Sequence, residues 1–439
     1  MAQQHDREHD RDPRGSREYR GTEGEPTAGR SVASPVASPV APASGRVATE
    51  VAIAGRVGGI PANPFAVSDV RVRKAQAAGA DVIDLSKGNP DGEPPEFMLD
   101  AAVTAVRDRA NFRYPAFAGK PAFLQAAARW YARQYGVALE PASELLAVAG
   151  AGVGISEVIE ALIDPGDLVV MIDPYYPQYR GSTAVAQGRI HLVEAQPELG
   201  FLPDLQAVPE RVWDEAKLLI LNYPNNPTGA AATPELFAMA VRLAKAHHFT
   251  VMHDFAYAGI GFDAHPPISL LQTPGALDVG VELCSLSKMY MVAGWRAGFV
   301  ACRPELMAAV RVVHEQTSLL VTSVVQDAGA AGLNSDQASV RALAERYAGR
   351  YETLRDGLSR AGLELVQSHG GLFGWLRVPD GWSDQDFALW LLAHPHVAAI
   401  PGSDFGPAGA SYVRLSLLVP ESVLHLAAER IARARGDAW

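Results

Sequence analysis

The sequence has only two cysteines among its 439 residues, Cys284 and Cys302. Two cysteines provide neither a disulfide framework nor the spacing of a metal site, and they favour a reducing compartment, so we predict the cytoplasm. No apolar run reaches the roughly 18 residues of a membrane-spanning helix. Basic residues interleaved with aromatics are also missing, and the net charge is −11. We therefore expect neither a membrane nor nucleic acid as a main partner.

The hydrophobic content of 48% is enough for a substantial core, but residues 1–57 differ from the rest of the chain. They are dense in charge, glycine and proline, and residues 32–42 are of low complexity, which predicts a disordered N-terminal tail. The tail lacks the apolar core of a secretory signal, and its acidic residues disfavour a transit peptide. It is either an inert leader or a segment that orders over the active site.

Strand-like runs alternate with helical patterns from about residue 95 to residue 330. This alternation predicts an α/β fold with a mostly parallel sheet covered on both faces. The predicted strands are residues 145–149, 168–172, 189–193, 218–221, 250–253, 281–284 and 296–301. A helical pattern follows over residues 336–361, with shorter strands after it and a closing helix from Pro420. This last part predicts a second, smaller α+β unit.

The most informative stretch is Ser285-Leu-Ser-Lys288, followed by Gly294-Trp-Arg296. It sets one lysine, two hydroxyls and one arginine at fixed distances after a strand-like run. The chain has only six lysines. Lys288 is expected just past the carboxyl end of that strand, where open α/β sheets bind ligands. A lysine in that place can form an imine with an aldehyde cofactor.

Two polar clusters end the strand-like runs that come before it. Asn222-Tyr-Pro-Asn-Asn226-Pro-Thr-Gly229 follows one run, and Asp254-Phe-Ala-Tyr257 follows the next. Pyridoxal phosphate (PLP) needs a lysine, a carboxylate for the pyridine nitrogen, donors to the ring oxygen, and hydroxyl or backbone groups for the phosphate. All of these groups occur here at the ends of successive strands, which indicates a PLP site.

The four elements Asn-Pro-Thr-Gly, Asp-x-x-Tyr, Ser-x-Ser-Lys and Gly-x-Arg occur in the order found in the class I/II aminotransferases. The chain resembles this family of fold-type I PLP-dependent enzymes over roughly residues 60–435, and looks most like the branch with LL-diaminopimelate and alanine aminotransferases. The resemblance implies a large PLP-binding domain over residues 95–332 and a small C-terminal domain over residues 333–439. Residues 58–94 would form an N-terminal arm and part of the small domain.

The resemblance also implies a role for each residue at the ring of the cofactor. Lys288 would form the Schiff base and later move the Cα proton of the substrate. Asp254 would pair with the pyridinium nitrogen and make PLP an electron sink. Tyr257 and Asn226 would hydrogen-bond the ring oxygen, and Tyr176 would stack on the ring face.

The phosphate would be held by Ser285, Ser287 and Arg296, together with the backbone of residues 150–154 at the start of a helix expected over residues 155–162. The related branch usually has Gly-Ser-Lys-Glu-Gly at this turn. Here three positions retain only their backbone donors: Ala151, Gly152 and Val153. This departure is either drift or extra room for an unusual substrate.

Three further residues correspond to family positions that bind substrate or join subunits. Arg414 would hold the substrate α-carboxylate through two parallel hydrogen bonds, and Gly88 would contact the same carboxylate through its backbone. Tyr114 would reach the phosphate site of the other subunit in a homodimer. Alternatively, Tyr114 is a buried hydroxyl in its own subunit, and Tyr175 or Tyr179 takes the stacking position of Tyr176.

The resemblance implies an aminotransferase that moves an amino group between an L-amino acid and a 2-oxo acid. The same residues also support elimination, replacement or oxidation of an amino acid, because all of these reactions begin with removal of the Cα proton. Residue types alone leave this choice open, as well as the side chain of the substrate.

Overall fold

The computed structural model describes residues 52–262, 266–318 and 320–438. Most of the predicted tail, residues 1–51, lies outside the described residues. The helical turn Gly55–Gly59 spans the predicted boundary between residues 57 and 58. Described residues from Ile53 onward belong to one compact unit.

The described residues contain thirteen β-strands. In chain order they are β1 Ile83–Asp84, β2 Leu145–Val148, β3 Leu168–Asp173, β4 Arg189–Gln196, β5 Leu202–Pro203, β6 Ala216–Asn222, β7 Thr250–Phe255, β8 Gly280–Ser285, β9 Gly298–Cys302, β10 Phe373–Arg377, β11 Val397–Ala398, β12 Ile400–Pro401 and β13 Tyr412–Ser416.

Fourteen α-helices lie in the same part of the chain. They are α1 Pro64–Ala77, α2 Glu96–Arg107, α3 Pro121–Tyr135, α4 Pro141–Glu144, α5 Ala151–Leu162, α6 Pro177–Val185, α7 Glu210–Glu215, α8 Pro234–His247, α9 Leu286–Met289, α10 Pro304–Thr317, α11 Ser323–Asn334, α12 Ala338–Arg360, α13 Asp384–Ala393 and α14 Glu421–Ala438. None of these helices is both long and apolar enough to cross a membrane.

The largest sheet has the strand order β2-β9-β8-β7-β6-β3-β4-β5. The central pairs β8/β7, β7/β6, β6/β3 and β3/β4 are parallel, whereas β2, β9 and β5 pair antiparallel with their neighbours. The prediction of a mostly parallel sheet is confirmed. Because the central strands are parallel, the carboxyl ends of β6, β7 and β8 all lie at one edge of the sheet.

Both faces of this sheet are covered, as the apolar character of its strands predicts. Val169 and Met171 of β3 pack with Ile155 of α5 on one face. Val170, between them, packs with Phe237 of α8 on the other face. Successive residues of β3 therefore serve two different cores.

Two smaller sheets surround the strand that carries Arg414. Strand β13 pairs antiparallel with β10 and β12, and Arg414 lies opposite Trp375 and Ile400. Strand β1 pairs parallel with β11, which brings the N-terminal segment beside the C-terminal part of the chain. The predicted domain boundary at residues 332 and 333 falls inside α11.

The structure corrects two predicted boundaries, and both lie at the cofactor site. The helix expected over residues 155–162 begins four residues earlier, at Ala151. The strand expected from Arg296 begins at Gly298, because Arg296 has a left-handed φ of 56° that a strand does not allow. The closing helix expected from Pro420 is α14, and the helical pattern over 336–361 is α12.

Candidate active site

A cavity of about 230 Å³ lies at the carboxyl ends of β6, β7 and β8. Most residues predicted from the sequence line it: Gly88, Ala151, Gly152, Tyr176, Asn226, Asp254, Tyr257, Ser285, Ser287, Lys288, Arg296 and Arg414. Val153 and Tyr114 are not among its lining residues. The fold thus brings residues from widely separated parts of the sequence into one cavity.

Lys288 lies in the short helix α9, which begins directly after β8. The Ser285 hydroxyl accepts a hydrogen bond from the Ser287 N–H at 3.2 Å and caps this helix. The Lys288 ammonium donates to the Gly88 carbonyl oxygen at 2.5 Å. Burial lowers the pKa of Lys288 to about 8, with further contributions from the charges of Arg414 and Arg296. A larger fraction of this lysine is therefore a neutral, nucleophilic amine near neutral pH than is usual.

Asp254 is a buried carboxylate at the end of β7. Its Oδ2 accepts a hydrogen bond from the Tyr179 hydroxyl at 2.6 Å, and its Oδ1 accepts one from the Ala256 N–H at 3.2 Å. Burial raises the pKa of Asp254, whereas the hydrogen bond from Tyr179 and the charge of His253 lower it. Tyr179, one of the alternatives for the stacking position, instead holds this carboxylate.

Tyr257 and Asn226 are both buried, and both line the cavity. Burial raises the pKa of Tyr257, so its phenol stays protonated and can donate a hydrogen bond. Asn222 fixes the neighbouring backbone because its Oδ1 accepts from the Asn226 N–H at 2.9 Å. The Nδ2 of Asn222 also donates to the main-chain oxygen of Asp254 at 2.8 Å, which ties β6 to β7.

Arg414 is a fully buried guanidinium beside three aromatic rings. Its Cζ lies 3.9 Å from the ring centroid of Phe373, with Phe405 and Phe65 farther away at 4.9 and 5.0 Å. Nη1 donates to the Asn226 Oδ1 at 3.0 Å, and Nη2 donates to the Ser86 carbonyl at 2.8 Å.

No carboxylate pairs with this guanidinium within the described residues, and its Nε has no hydrogen-bond partner there. Burial lowers the pKa of Arg414 to about 10, so the group remains charged at neutral pH. Burying a charge without an opposite charge nearby is costly. The arrangement therefore fits the carboxylate of a ligand.

The amino terminus of α5 faces the cavity beside Arg296. Gly150 precedes the helix with a φ of 88°, and a Cβ atom there would overlap the Arg296 guanidinium. Arg296 donates from Nη1 to the Ala293 carbonyl at 2.9 Å. The first N–H groups of a helix have no partner within the helix, so this end suits a phosphate group.

Gln178 is a cavity residue that the sequence did not reveal. Its Nε2 donates to the Gly152 carbonyl at 2.5 Å. A Cβ atom added to Gly152 would lie only 2.7 Å from the Gln178 Oε1. The space left by the small residue at position 152 is thus occupied by Gln178, which argues against extra room for a substrate at this point.

Tyr176 lines the cavity, whereas Tyr114 lies outside it. The Tyr176 ring stacks on Phe65, with 6.1 Å between centroids, and contacts Tyr179 edge-on at 5.6 Å. Tyr114 is 97% exposed. The alternative of a buried hydroxyl within the same subunit is therefore wrong for Tyr114.

The cavity also contains aromatic residues that no motif indicated, namely Phe65 and Phe373. Both come from segments outside the large sheet, Phe65 from α1 and Phe373 from β10. These two residues reach the cavity only because of how their segments pack. A local sequence pattern therefore cannot predict that they line it.

The polar groups that line the cavity fit each part of PLP. A lysine with a lowered pKa faces the cavity, a buried carboxylate ends the neighbouring strand, and a helix amino terminus with two serines and an arginine suits a phosphate. A mostly parallel sheet with these groups at its carboxyl edge defines a fold-type I PLP-dependent enzyme.

Comparison with known proteins narrows this class to one family. Residues 80–431 match the model of the aminotransferase class I and II family. The chain is 37% identical over 374 residues to the L-glutamine--4-(methylsulfanyl)-2-oxobutanoate aminotransferase of Bacillus subtilis, covering 85% of this chain and 94% of that protein. It is 38% identical over 383 residues to the LL-diaminopimelate aminotransferase of Desulforudis audaxviator, covering 87% and 98%.

A solved structure agrees with these sequence matches. The substrate-bound structure of BacF from Bacillus subtilis superposes with a TM-score of 0.84 at 30% identity, covering 88% of this chain and 98% of that chain. The protein belongs to the class I and II aminotransferases. It is a PLP-dependent enzyme that transfers an amino group between an amino acid and a 2-oxo acid.

Proposed function

We propose that Lys288 is the Schiff-base lysine of this aminotransferase and also the group that moves the Cα proton of the substrate. The observation that carries this proposal is the position of the Lys288 amine, partly buried in one cavity with Asp254 and Arg414. PLP, when bound, withdraws electrons from the substrate Cα. The pKa of Lys288, lowered to about 8, suits a group that must both release and accept a proton near neutral pH.

Asp254 is proposed as the group that holds the ring nitrogen of the cofactor in its protonated form. Its carboxylate is fixed by Tyr179 and Ala256, so its orientation is set before any ligand enters. Asn226 and Tyr257 would donate to the ring oxygen, and Tyr176 would cover one face of the ring.

Arg414 is proposed as the group that grips the substrate α-carboxylate, with the backbone of Gly88 beside it. The Phe373 ring supports the guanidinium, while Asn226 and the Ser86 carbonyl fix its plane. A guanidinium fixed in this way orients a carboxylate as well as attracting it. Both the donor amino acid and the acceptor 2-oxo acid carry such a carboxylate, so one arginine serves both halves of the reaction.

The phosphate of the cofactor would be bound by Ser285, Ser287 and Arg296 and by the first N–H groups of α5, from Ala151 to Val153. The helix start at Ala151 supports this assignment for Ala151 and Gly152, whereas the Val153 N–H donates to the Gly150 carbonyl at 3.1 Å. Side chains at these positions are not needed, since the backbone donates.

Reduction with borohydride tests the assignment of Lys288. We expect the PLP-loaded protein to gain a stable cofactor adduct, and peptide mapping by mass spectrometry to find it on Lys288. The other five of the six lysines serve as internal controls within the same digest. An adduct on any of them instead would overturn the assignment.

We also propose a homodimer whose active sites are shared between subunits. Tyr114 is almost fully exposed, and apolar side chains at least half exposed lie near it in the sequence. They are Val103, Val106, Phe112 and Phe117. Exposed apolar residues grouped in this way are typical of a protein–protein interface, and Tyr114 would then reach the phosphate site of the partner subunit.

Mixing two inactive variants tests this arrangement. If Tyr114 acts across the interface, Tyr114→Ala and Lys288→Ala subunits that exchange should form mixed dimers with one intact site. We expect activity to return to up to about a quarter of the sites by statistical assortment. Mass spectrometry of the intact dimer shows whether exchange occurred. Proven exchange without any recovery would place Tyr114 in the site of its own subunit.

The cytoplasm is the proposed location of the enzyme. Cys284 and Cys302 are both buried free thiols. Two free thiols suit a reducing compartment.

A further inference from the structure

A buried histidine–glutamate pair adjoins Asp254 in the sheet and has no part in the proposed chemistry. His253 of β7 and Glu282 of β8 are paired residues of adjacent strands, and both are fully buried. The His253 Nδ1 lies 2.7 Å from the Glu282 Oε2. Because successive residues of a strand point to opposite faces, the pair lies on the other side of the sheet from the Asp254 carboxylate.

The contacts of His253 place a proton on its Nε2. This atom lies 3.1 Å from the Tyr223 carbonyl oxygen, which can only accept a hydrogen bond. The ring is enclosed by Phe237 and Phe255, each with its centroid 4.9 Å away. Nε2 is therefore the donor of this hydrogen bond.

Glu282 accepts three hydrogen bonds besides its contact with His253. Oε1 accepts from the Tyr131 hydroxyl at 2.8 Å and from the Ser269 hydroxyl at 2.5 Å. Oε2 accepts from the Leu270 N–H at 2.7 Å. Three donors stabilise the ionised form of a carboxylate, which then accepts from His253 as well. Both ring nitrogens of His253 therefore face oxygen acceptors, the carbonyl of Tyr223 and the carboxylate of Glu282.

We propose that His253 and Glu282 are positioning residues that keep Asp254 ionised and the shared proton on the ring nitrogen of the cofactor. The proposal rests on the proposed role of Asp254. A proton between the Asp254 carboxylate and the ring nitrogen is repelled by a positive charge on the carboxylate side. His253 precedes Asp254 in β7, and its charge lowers the pKa of Asp254, so a protonated His253 favours the ionised carboxylate and leaves the proton on the cofactor.

The electrostatics of Asp254 agree with this reading. Burial raises the pKa of Asp254. The hydrogen bond from Tyr179 lowers this pKa, and the charge of His253 lowers it by a smaller amount. Tyr131 donates to Glu282, and its hydroxyl also lies 3.3 Å from the Cys284 sulfur. Burial raises the pKa of Tyr131 and of Cys284, so neither adds a charge near neutral pH.

The chain contains a second pair of the same kind that serves as a matched control. The His314 Nδ1 lies 2.9 Å from the Glu157 Oε1, and its Nε2 lies 3.2 Å from the Phe117 carbonyl. Both side chains are buried, but they join α10 to α5 instead of contacting β7. Replacing either histidine by glutamine removes one buried imidazole with the same hydrogen-bond pattern.

The test is the nitrogen NMR signal of ¹⁵N-labelled PLP in the holoenzyme and in three variants. We expect His253→Gln to move the ring-nitrogen signal from the protonated towards the neutral pyridine position, and to lower kcat by roughly tenfold, less than the loss of a group in direct contact. His314→Gln should leave the signal of the folded protein unchanged. Asp254→Asn should move the signal farthest.

The outcomes separate the two proposals. An unchanged signal in Asp254→Asn would overturn the role of Asp254 itself. Two results would overturn the role of the His253–Glu282 pair. One is a shift of the ring-nitrogen signal in Asp254→Asn without a shift in His253→Gln. The other is an equal shift in His253→Gln and His314→Gln. If His253→Gln does not fold, Glu282→Gln removes the anion that stabilises the imidazolium, and the same shift is expected. In wild-type protein labelled at histidine, a neutral His253 ring would also contradict the proposal.

Discussion

Lys288→Ala is expected to lower turnover by a factor on the order of 10⁴ or more, because one change removes both the nucleophile and the proton carrier. The protein should still fold and bind PLP without a covalent bond. The proposed phosphate contacts from Ser285, Arg296 and the start of α5 do not depend on the lysine amine. Absorbance and mass spectrometry of the purified variant measure retained cofactor, and single-turnover kinetics with a donor amino acid measure the rate.

Lys245→Ala is the control for this change. Lys245 is a surface lysine whose ammonium pairs with Asp278 at 2.6 Å, outside the cavity. We expect it to retain wild-type turnover. A folded, PLP-loaded Lys288→Ala protein that keeps more than a small fraction of wild-type turnover would show that another group moves the proton.

Arg414→Lys should be the second most damaging change, with kcat/KM lower by on the order of a hundredfold for amino acids and 2-oxo acids alike. A lysine ammonium cannot form two parallel hydrogen bonds to a carboxylate, and charged hydrogen bonds contribute about 1.5 to 3 kcal/mol each. The loss should be much smaller for an amine without an α-carboxylate. Steady-state kinetics with matched substrates, with and without that carboxylate, separate the two cases.

The same substitution at Arg377 is the control. Arg377 lies on β10, in the same sheet as Arg414, but is exposed and pairs with Glu364 at 3.6 Å. We expect no change in kcat/KM. Equal losses for substrates with and without the carboxylate in Arg414→Lys would mean that Arg414 supports the structure of the site and does not bind the carboxylate.

The positions of Lys288 and Asp254 could be predicted from the sequence, because a short motif follows each apolar run and parallel strands bring such motifs to one edge. The fold class follows from the same alternation. The predicted start of α5 was wrong because Gly152 and Gly154 read as a turn, whereas the structure keeps both in the helix. Gln178 could not be predicted as a site residue, and Tyr179 was considered only for the stacking position, since their roles depend on where α6 lies relative to α5 and β7.

The antiparallel direction of strands β2 and β9 could not be predicted from the sequence either. Their apolar runs resemble those of the central strands, and strand direction is set by the chain connections instead of by residue type. The two buried histidine–glutamate pairs also could not be predicted from the sequence. Each joins residues at least 29 positions apart, and nothing in the local pattern around His253 or His314 distinguishes them from exposed histidines.

The most direct test of the account is a reaction with the donor amino acid alone. A site that uses Lys288 and Arg414 for amino transfer must stop after one half of the reaction, because the amine stays on the cofactor until a 2-oxo acid removes it. We expect one molecule of 2-oxo acid per active site by mass spectrometry, loss of the starting cofactor absorbance, and full recovery on adding an acceptor 2-oxo acid. Continued turnover without an acceptor, with release of ammonia or consumption of oxygen, would contradict amino transfer as the reaction of this site.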